Sequence, residues 1–191
     1  MKERNKIYLF RHGQTFFNRD KKFTGNIDSK LTSKGKEHAK TIAKKLKNKR
    51  FQVAIHTSLS RSIDTLKPVL KNHPECTIII EDDRILERDY GSLQGMSHKD
   101  YIKKYGEEEF KRVHRNFTTR PPKGESFADV EIRVREFIKD LKRFIKKNKV
   151  NIAISGHGNS IRLFRKIIEK KTRKEAEKWN IPYDKVFEYK I

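Results

Sequence analysis

Short β-branched apolar runs alternate along this chain with longer stretches of helical periodicity, and that alternation admits little besides an α/β layer structure on a largely parallel sheet. Four runs have the character of buried strands: Ile7-Tyr8-Leu9-Phe10, Val53-Ala54-Ile55, Thr77-Ile78-Ile79-Ile80 and Val150-Asn151-Ile152-Ala153-Ile154-Ser155. A further strand is expected over Val186 to Tyr189. Between them, Ser33 to Lys49 sets Ala39, Ile42, Ala43 and Leu46 on one helical face, with Ser33 as the expected N-cap. Phe127 to Lys147 repeats Val130, Val134, Phe137, Ile138, Leu141 and Ile145 along one stripe that can lie on a sheet. Pro68 is expected to kink or restart the helix that begins near Ser60, and Arg120-Pro121-Pro122-Lys123-Gly124 reads as a turn. The expectation is a three-layer sandwich, a mostly parallel central sheet flanked by helices, forming a single domain over 1–191.

Charge narrows the class of partner without choosing one. The formal charge of +22 raises the local concentration of anions, whether phosphorylated metabolites or nucleic acid. Much of the lysine sits in patches such as Lys44-Lys45-Leu46-Lys47 and Lys142-Arg143-Phe144-Ile145-Lys146-Lys147, helical segments whose charged residues are expected on a solvated outer face. The single cysteine, Cys76, cannot form an internal disulfide, which suits a reducing compartment. Met1 to Phe10 carries Lys2, Glu3, Arg4 and Lys6 before a very short apolar run, and no stretch approaches the roughly 20 apolar residues of a membrane span. A soluble, cytoplasmic protein with no membrane partner is expected.

Two of the expected strands end in histidine. Phe10 is followed by Arg11-His12-Gly13-Gln14-Thr15, and Ser155 by Gly156-His157-Gly158-Asn159-Ser160. In open α/β sheets ligands bind beyond the carboxyl ends of the strands, so both histidines fall where a ligand is expected. Neutral imidazole can attack phosphorus near neutral pH and leave again from a phosphohistidine. Arg11 and Arg61 offer planar forks for phosphate oxygens, and Gly13, Gly25 and Gly158 allow close backbone approach. A second histidine, His157, can donate to the same oxygens as charge develops. This chemistry calls for no metal.

The run Arg11-His12-Gly13-Gln14-Thr15, with Asn18 and then Phe23-Thr24-Gly25, resembles the N-terminal signature of the histidine phosphatase superfamily. More narrowly it is similar to cofactor-dependent phosphoglycerate mutases. Thr57-Ser58-Leu59-Ser60-Arg61-Ser62, Leu86-Glu87-Arg88-Asp89-Tyr90-Gly91-Ser92-Leu93-Gln94-Gly95, Gly124-Glu125-Ser126, Gly156-His157-Gly158-Asn159-Ser160 and Asn180-Ile181-Pro182 match in order and spacing, from about residue 6 to 189. The resemblance implies that His12 is the phosphorylated nucleophile, that Arg11, Arg61 and His157 hold the transferred group with Asn18, and that Glu87 is the general acid and base. It implies that Arg88, Tyr90 and Arg115 hold the far, carboxylate end of the substrate, and that Thr15, Thr24, Gly25, Gly158 and Asn159 complete the binding set. The implied reaction interconverts 3-phosphoglycerate and 2-phosphoglycerate, a step of glycolysis and gluconeogenesis. The implied cofactor is a 2,3-bisphosphoglycerate primer, with no metal, and the implied assembly is a homo-oligomer such as a dimer.

The chain departs from the mutase pattern at the clamp. His114-Arg115 stand where mutases often carry two arginines, His98 aligns with a lysine although Lys99 lies beside it, and Asn26-Ile27 replace an aromatic pair. Little chain follows Trp179, and a shorter cover is expected to let water compete for a phosphohistidine. Two other readings stand beside the mutase: a phosphomonoester phosphatase using His12 and Glu87, and a basic nucleic-acid-binding module. The second lacks a helix-turn-helix, a zinc-ligand spacing or an aromatic RNA-binding motif, so no specific nucleic-acid partner is expected.

Overall fold

The computed structural model describes residues 5–191, so the charged start through Arg4 lies outside the described residues. Five strands, β1 (Lys6–Arg11), β2 (Val53–His56), β3 (Ile78–Glu81), β4 (Ile152–Gly156) and β5 (Val186–Lys190), form one sheet in the order β3-β2-β4-β1-β5. The β1/β4, β2/β4 and β2/β3 pairs are parallel, and β5 closes the β1 edge antiparallel. Each expected strand is present, with ends shifted by a residue or two.

Alternation along the central strands builds the two outer layers. Ile7 and Leu9 of β1 face one side with Val53, Ile55, Ile152 and Ile154, where α6 (Phe127–Asn148) and α7 (Gly158–Ile168) cover them with Val130, Val134, Phe137, Leu141, Ile161 and Phe164. Tyr8, Phe10, Ala54 and Ala153 face the other side, against Ile42, Ala43 and Leu46 of α2 (Ser33–Leu46) and Leu66 and Val69 of α3 (Ser60–Leu70). The stripe expected on α6 is therefore its sheet-facing surface. The charged residues of both lysine runs are exposed. Between these layers and the ends of the strands come the short α1 (Phe16–Arg19), the pair α4 (His98–Tyr105) and α5 (Glu107–Arg115), and α8 (Arg173–Lys178). Among the described residues no helix is long and apolar enough to cross a membrane.

Three local expectations are corrected. The run around Ile78 is a strand but not a buried one: β3 is the sheet's outer edge, and Ile78 and Ile79 are 46% and 53% exposed. The N-cap of α2 is Thr32 rather than Ser33. Thr32 Oγ1 accepts from Gly35 N at 3.0 Å while its own N–H bonds Gln14 O, fixing it one residue earlier. Helix α3 runs through Pro68 instead of restarting, because Pro68 lies in the final turn, where a missing N–H frees only the carbonyl of Asp64.

Position in the sheet sets what a substitution costs. Ile154→Ala, at a fully buried central position, should lower unfolding stability by about 2–5 kcal/mol, whereas Ile79→Ala on the exposed edge should change it by less than about 1 kcal/mol. Urea denaturation of both variants checks this, and equal losses would contradict the edge assignment.

Candidate functional site

Parallel pairing of β1 with β4 puts Arg11 opposite Gly156, so the next residues, His12 and His157, emerge side by side with ring centroids 5.0 Å apart. The ladder continues one step beyond the strands, with His12 N–H donating to Gly156 O at 3.0 Å. The loop after β2 adds Thr57 and leads into α3. There Ser62 Oγ donates to Ser155 O and Ser155 Oγ to Ser62 O, tying α3 to β4. That double link presents Arg61, fully buried, to the two histidines.

Hydrogen bonds assign the tautomers. His12 Nδ1 lies 2.7 Å from Gly13 O, and because a carbonyl can only accept, Nδ1 carries the hydrogen and Nε2 keeps its lone pair. Burial first, then Arg61 and Arg11, hold the His12 pKa well below the usual histidine value. His157 is depressed in the same way, by burial, Arg61 and His12. Its Nδ1 accepts from Arg61 Nε at 3.3 Å, so Nε2–H donates to Thr57 Oγ1 at 2.8 Å. Burial lowers Arg61 itself to about 10, and its terminal nitrogens donate to Gly25 O and Ile27 O. Gly25 needs to be glycine: its φ is 53° and a Cβ would lie 2.2 Å from Gln94 Oε1.

Glu87 faces this group and is only 8% exposed. Its Oε1 accepts from Arg88 N at 2.8 Å and from Asn159 N, in the first turn of α7, at 3.0 Å. Glu87 is not drawn into a surface ion pair with the neighbouring Arg84, which pairs with Asp82 and Asp140. Gly158 lets the parts close up, as a Cβ there would meet Arg11 Cζ at 3.3 Å and Glu87 Oε2 at 3.4 Å.

Arg11, His12, Arg61 and Glu87 line a cavity of about 220 Å³ that also takes in Asn18, Thr24, Gly25, Tyr90, Arg115, Gly158 and Asn159 from the expected set. His157, expected to hold the transferred group, is fully buried and is not part of that lining, because its ring is taken up by Thr57 and Arg61. Asn18 commits Oδ1 to Thr15 N, which leaves its NH2 group to offer a ligand. Two further expected contacts are corrected. Arg88 is fully buried and spends its guanidinium on the carbonyls of Val113, Thr119 and Glu125, so it braces the Glu87 segment instead of lining the cavity. Thr15 is buried as the N-cap of α1, where it orients Asn18.

The cavity also holds residues the sequence did not single out. Arg162, one turn after Asn159 on α7, bonds Asn159 Oδ1 and Trp179 O and is lowered to about 10 by burial and then by Arg115. Lys21, Lys22 and Tyr183 complete the rim. Arg133 of α6 donates to the carbonyls of Arg84, Leu86 and Glu87, a second brace behind the acid. His98 and His114, not Lys99, occupy the wall. His114 stacks on Phe110 with centroids 5.0 Å apart and sits 5.2 Å from His98. Burial and then Arg115 push His114 down to about 3. Six cations (Arg11, Lys21, Lys22, Arg61, Arg115 and Arg162) thus share the cavity with one carboxylate, Glu87, and among the described residues none of the six is in an ion pair. Such a surplus suits a ligand with more than one anionic group.

Keeping His12, His157 and His114 neutral has a consequence for stability. Each has a folded pKa below its unfolded value of about 6.5, so protons bind the unfolded chain more readily. Stability is therefore full above pH 6.5 and falls as the pH drops below it, by up to about 1.4 kcal/mol per pH unit for each group. Urea midpoints should decline between pH 6.5 and 5, before ordinary carboxylates titrate; a flat profile there would contradict the buried neutral histidines.

The comparisons with known proteins agree with this geometry. Residues 7–191 match the Histidine phosphatase superfamily (branch 1). The chain is 34% identical over 179 residues to the 2,3-bisphosphoglycerate-dependent phosphoglycerate mutase 2 of Gloeobacter violaceus, covering 93% of this chain and 81% of that protein. It is 36% identical over 182 residues to the 2,3-bisphosphoglycerate-dependent phosphoglycerate mutase of Parvibaculum lavamentivorans, covering 93% and 86%. Among solved structures, the alpha-ribazole phosphatase of Shigella flexneri superposes with a TM-score of 0.82 at 21% identity, covering 96% of this chain and 89% of that one. A mycobacterial glucosyl-3-phosphoglycerate phosphatase superposes with a TM-score of 0.81 at 20% identity, covering 97% of each, and at these identities the likeness concerns the fold. With its two histidines, buried arginine and facing glutamate on that fold, this chain belongs to the histidine phosphatase superfamily, branch 1.

Proposed function

We propose that the protein interconverts 3-phosphoglycerate and 2-phosphoglycerate through a phosphohistidine at His12. The observation that carries the reading is the His12 tautomer, neutral with Nδ1–H on Gly13 O and a lone pair left on Nε2, under the charges of Arg61 and Arg11. In the proposed step Nε2 attacks phosphorus, the P–O bond breaks, and the leaving oxygen takes its electron pair and a proton from Glu87. In the reverse sense Glu87 removes the proton from the accepting hydroxyl as the P–N bond breaks and its pair returns to Nε2. Arg11, Arg61 and the NH2 of Asn18 offset the phosphoryl charge. His157, with Nε2–H on Thr57 Oγ1 and Nδ1 accepting from Arg61 Nε, holds Arg61 in place for that task.

The choice of a phosphoglycerate rests on the rest of the cavity and on the named relatives. Arg115 and Arg162 line the same cavity and neither is in an ion pair among the described residues, the setting for a carboxylate or second phosphate at the far end of the ligand. A cavity of about 220 Å³ is smaller than the roughly 300–1,000 Å³ clefts of larger ligands, and its six cations fit a three-carbon bisphosphate. The 2,3-bisphosphoglycerate primer would be held by Arg11, Arg61, Arg115 and Arg162, and its contribution is the phosphoryl group that charges the enzyme.

One observation favours a second reading, hydrolysis of phosphomonoesters by the same His12 and Glu87. His98 and His114 are held below the usual histidine value, so they bring no charge to the wall where mutases carry a lysine and an arginine. An enolase-coupled assay with 3-phosphoglycerate, run with and without 2,3-bisphosphoglycerate while inorganic phosphate is followed, separates the two. The mutase reading expects 2-phosphoglycerate formation that rises with the bisphosphate and little phosphate release; steady release without isomerisation would replace it by the phosphatase. Glu87→Gln should lower kcat by at least about 100-fold while vanadate still binds, and full activity in that variant would remove Glu87 from its proposed role.

A further inference from the structure

The segment that follows α8 crosses the His12 side of the cavity, and the aromatic side chain it places there is Tyr183. Arg11 Cζ lies 4.1 Å from the centroid of the Tyr183 ring. The other partner of that ring is His38 of α2, stacked at 5.2 Å with an interplanar angle of 3°. His38 is itself held from behind, its Nδ1 accepting from Gln14 N at 3.4 Å. The Tyr183 ring is thus sandwiched between Arg11 and His38, with its centroid 6.5 Å from that of His12.

Arg11 has few other constraints. It donates from one terminal nitrogen to Ile181 O at 2.9 Å, its Nε is buried without a partner, and it forms no ion pair among the described residues. A single hydrogen bond leaves a guanidinium free to swing, whereas a ring against its face fixes its plane. The same ring lines the cavity that contains His12 and is 6.5 Å from it, centroid to centroid, so it takes up space next to the imidazole that water would otherwise fill.

We propose that Tyr183 is a positioning residue, which fixes the plane of Arg11 and keeps water from phosphorylated His12 so that the phosphoryl group passes to a substrate hydroxyl. This rests on the phosphohistidine reading above. Two reactions compete for the same bond. In both, the P–N bond breaks and its pair returns to Nε2 while a new O–P bond forms; the proton of the attacking oxygen goes to Glu87. Attack by water releases inorganic phosphate, and attack by a substrate hydroxyl yields a phosphate ester. Tyr183 acts on the ratio between them by limiting water, without touching the reacting atoms.

The test measures two quantities in wild type, Tyr183→Ala, Tyr183→Phe and His38→Ala: the lifetime of the phosphoenzyme in buffer without acceptor, and the dissociation constant for vanadate. The phosphoenzyme is formed with labelled 2,3-bisphosphoglycerate, or with labelled p-nitrophenyl phosphate if the bisphosphate does not label. Tyr183→Ala should shorten the lifetime about tenfold and weaken vanadate about fivefold. Tyr183→Phe should restore both, since the ring and not the hydroxyl is used, and His38→Ala should shift both in the direction of Tyr183→Ala by less. A labelled Tyr183→Ala enzyme with unchanged lifetime overturns the inference. Failure of both donors to label the wild type overturns the phosphohistidine reading and the inference with it, while labelling by p-nitrophenyl phosphate alone removes only the mutase.

Discussion

The parallel pairing of β1 with β4 is the constraint from which the site follows. Its register sets Arg11 against Gly156, so both strands release their chains at the same level and His12 and His157 meet. A slip of one residue in that ladder would turn Arg11 and Gly156 to opposite faces and separate the rings. The register is held by side chains buried on both faces of the sheet, Ile7 and Leu9 on one and Tyr8 and Phe10 on the other, so the large core is what keeps the two small loops aligned. Everything else is brought to these two histidines: Arg61 by the double serine link between α3 and β4, and Glu87 by the first turn of α7.

Electrostatics then decide what the assembly can do. Burying two imidazoles beside two guanidinium groups keeps the imidazoles neutral, which costs stability in acid but leaves Nε2 of His12 with a lone pair. The cations are left without carboxylate partners, an arrangement that favours an anionic ligand over an empty cavity. The high positive charge of the whole chain is not confined to the site, since the lysine runs of α2 and α6 are exposed and form no part of the cavity lining.

Much of this was legible in the sequence where function is written in backbone order. His12 and His157 follow strands and are flanked by glycine, and such positions survive translation from sequence to structure because topology alone brings them together. Arg88 was misplaced because adjacency to Glu87 says nothing about which way the next side chain turns; here it turns inward onto three carbonyls. The exposure of β3 was illegible because Ile78 and Ile79 have the composition of a core strand, and only the order of strands makes them an edge. Arg133, Arg162 and Tyr183 were missed because their roles arise from packing between elements far apart in sequence. Arg162 alone left a trace, lying one helical turn beyond Asn159.

The reaction proposed for this site depends on His12 Nε2 as the carrier of the phosphoryl group. The most direct measurement is to quench the enzyme after brief exposure to a phosphoryl donor, digest it at alkaline pH, and locate the modified residue by mass spectrometry. The expected result is an acid-labile, base-stable phosphate on the peptide that contains His12, with none in His12→Ala. Phosphate found on another residue, or labelling that survives in His12→Ala, would contradict it.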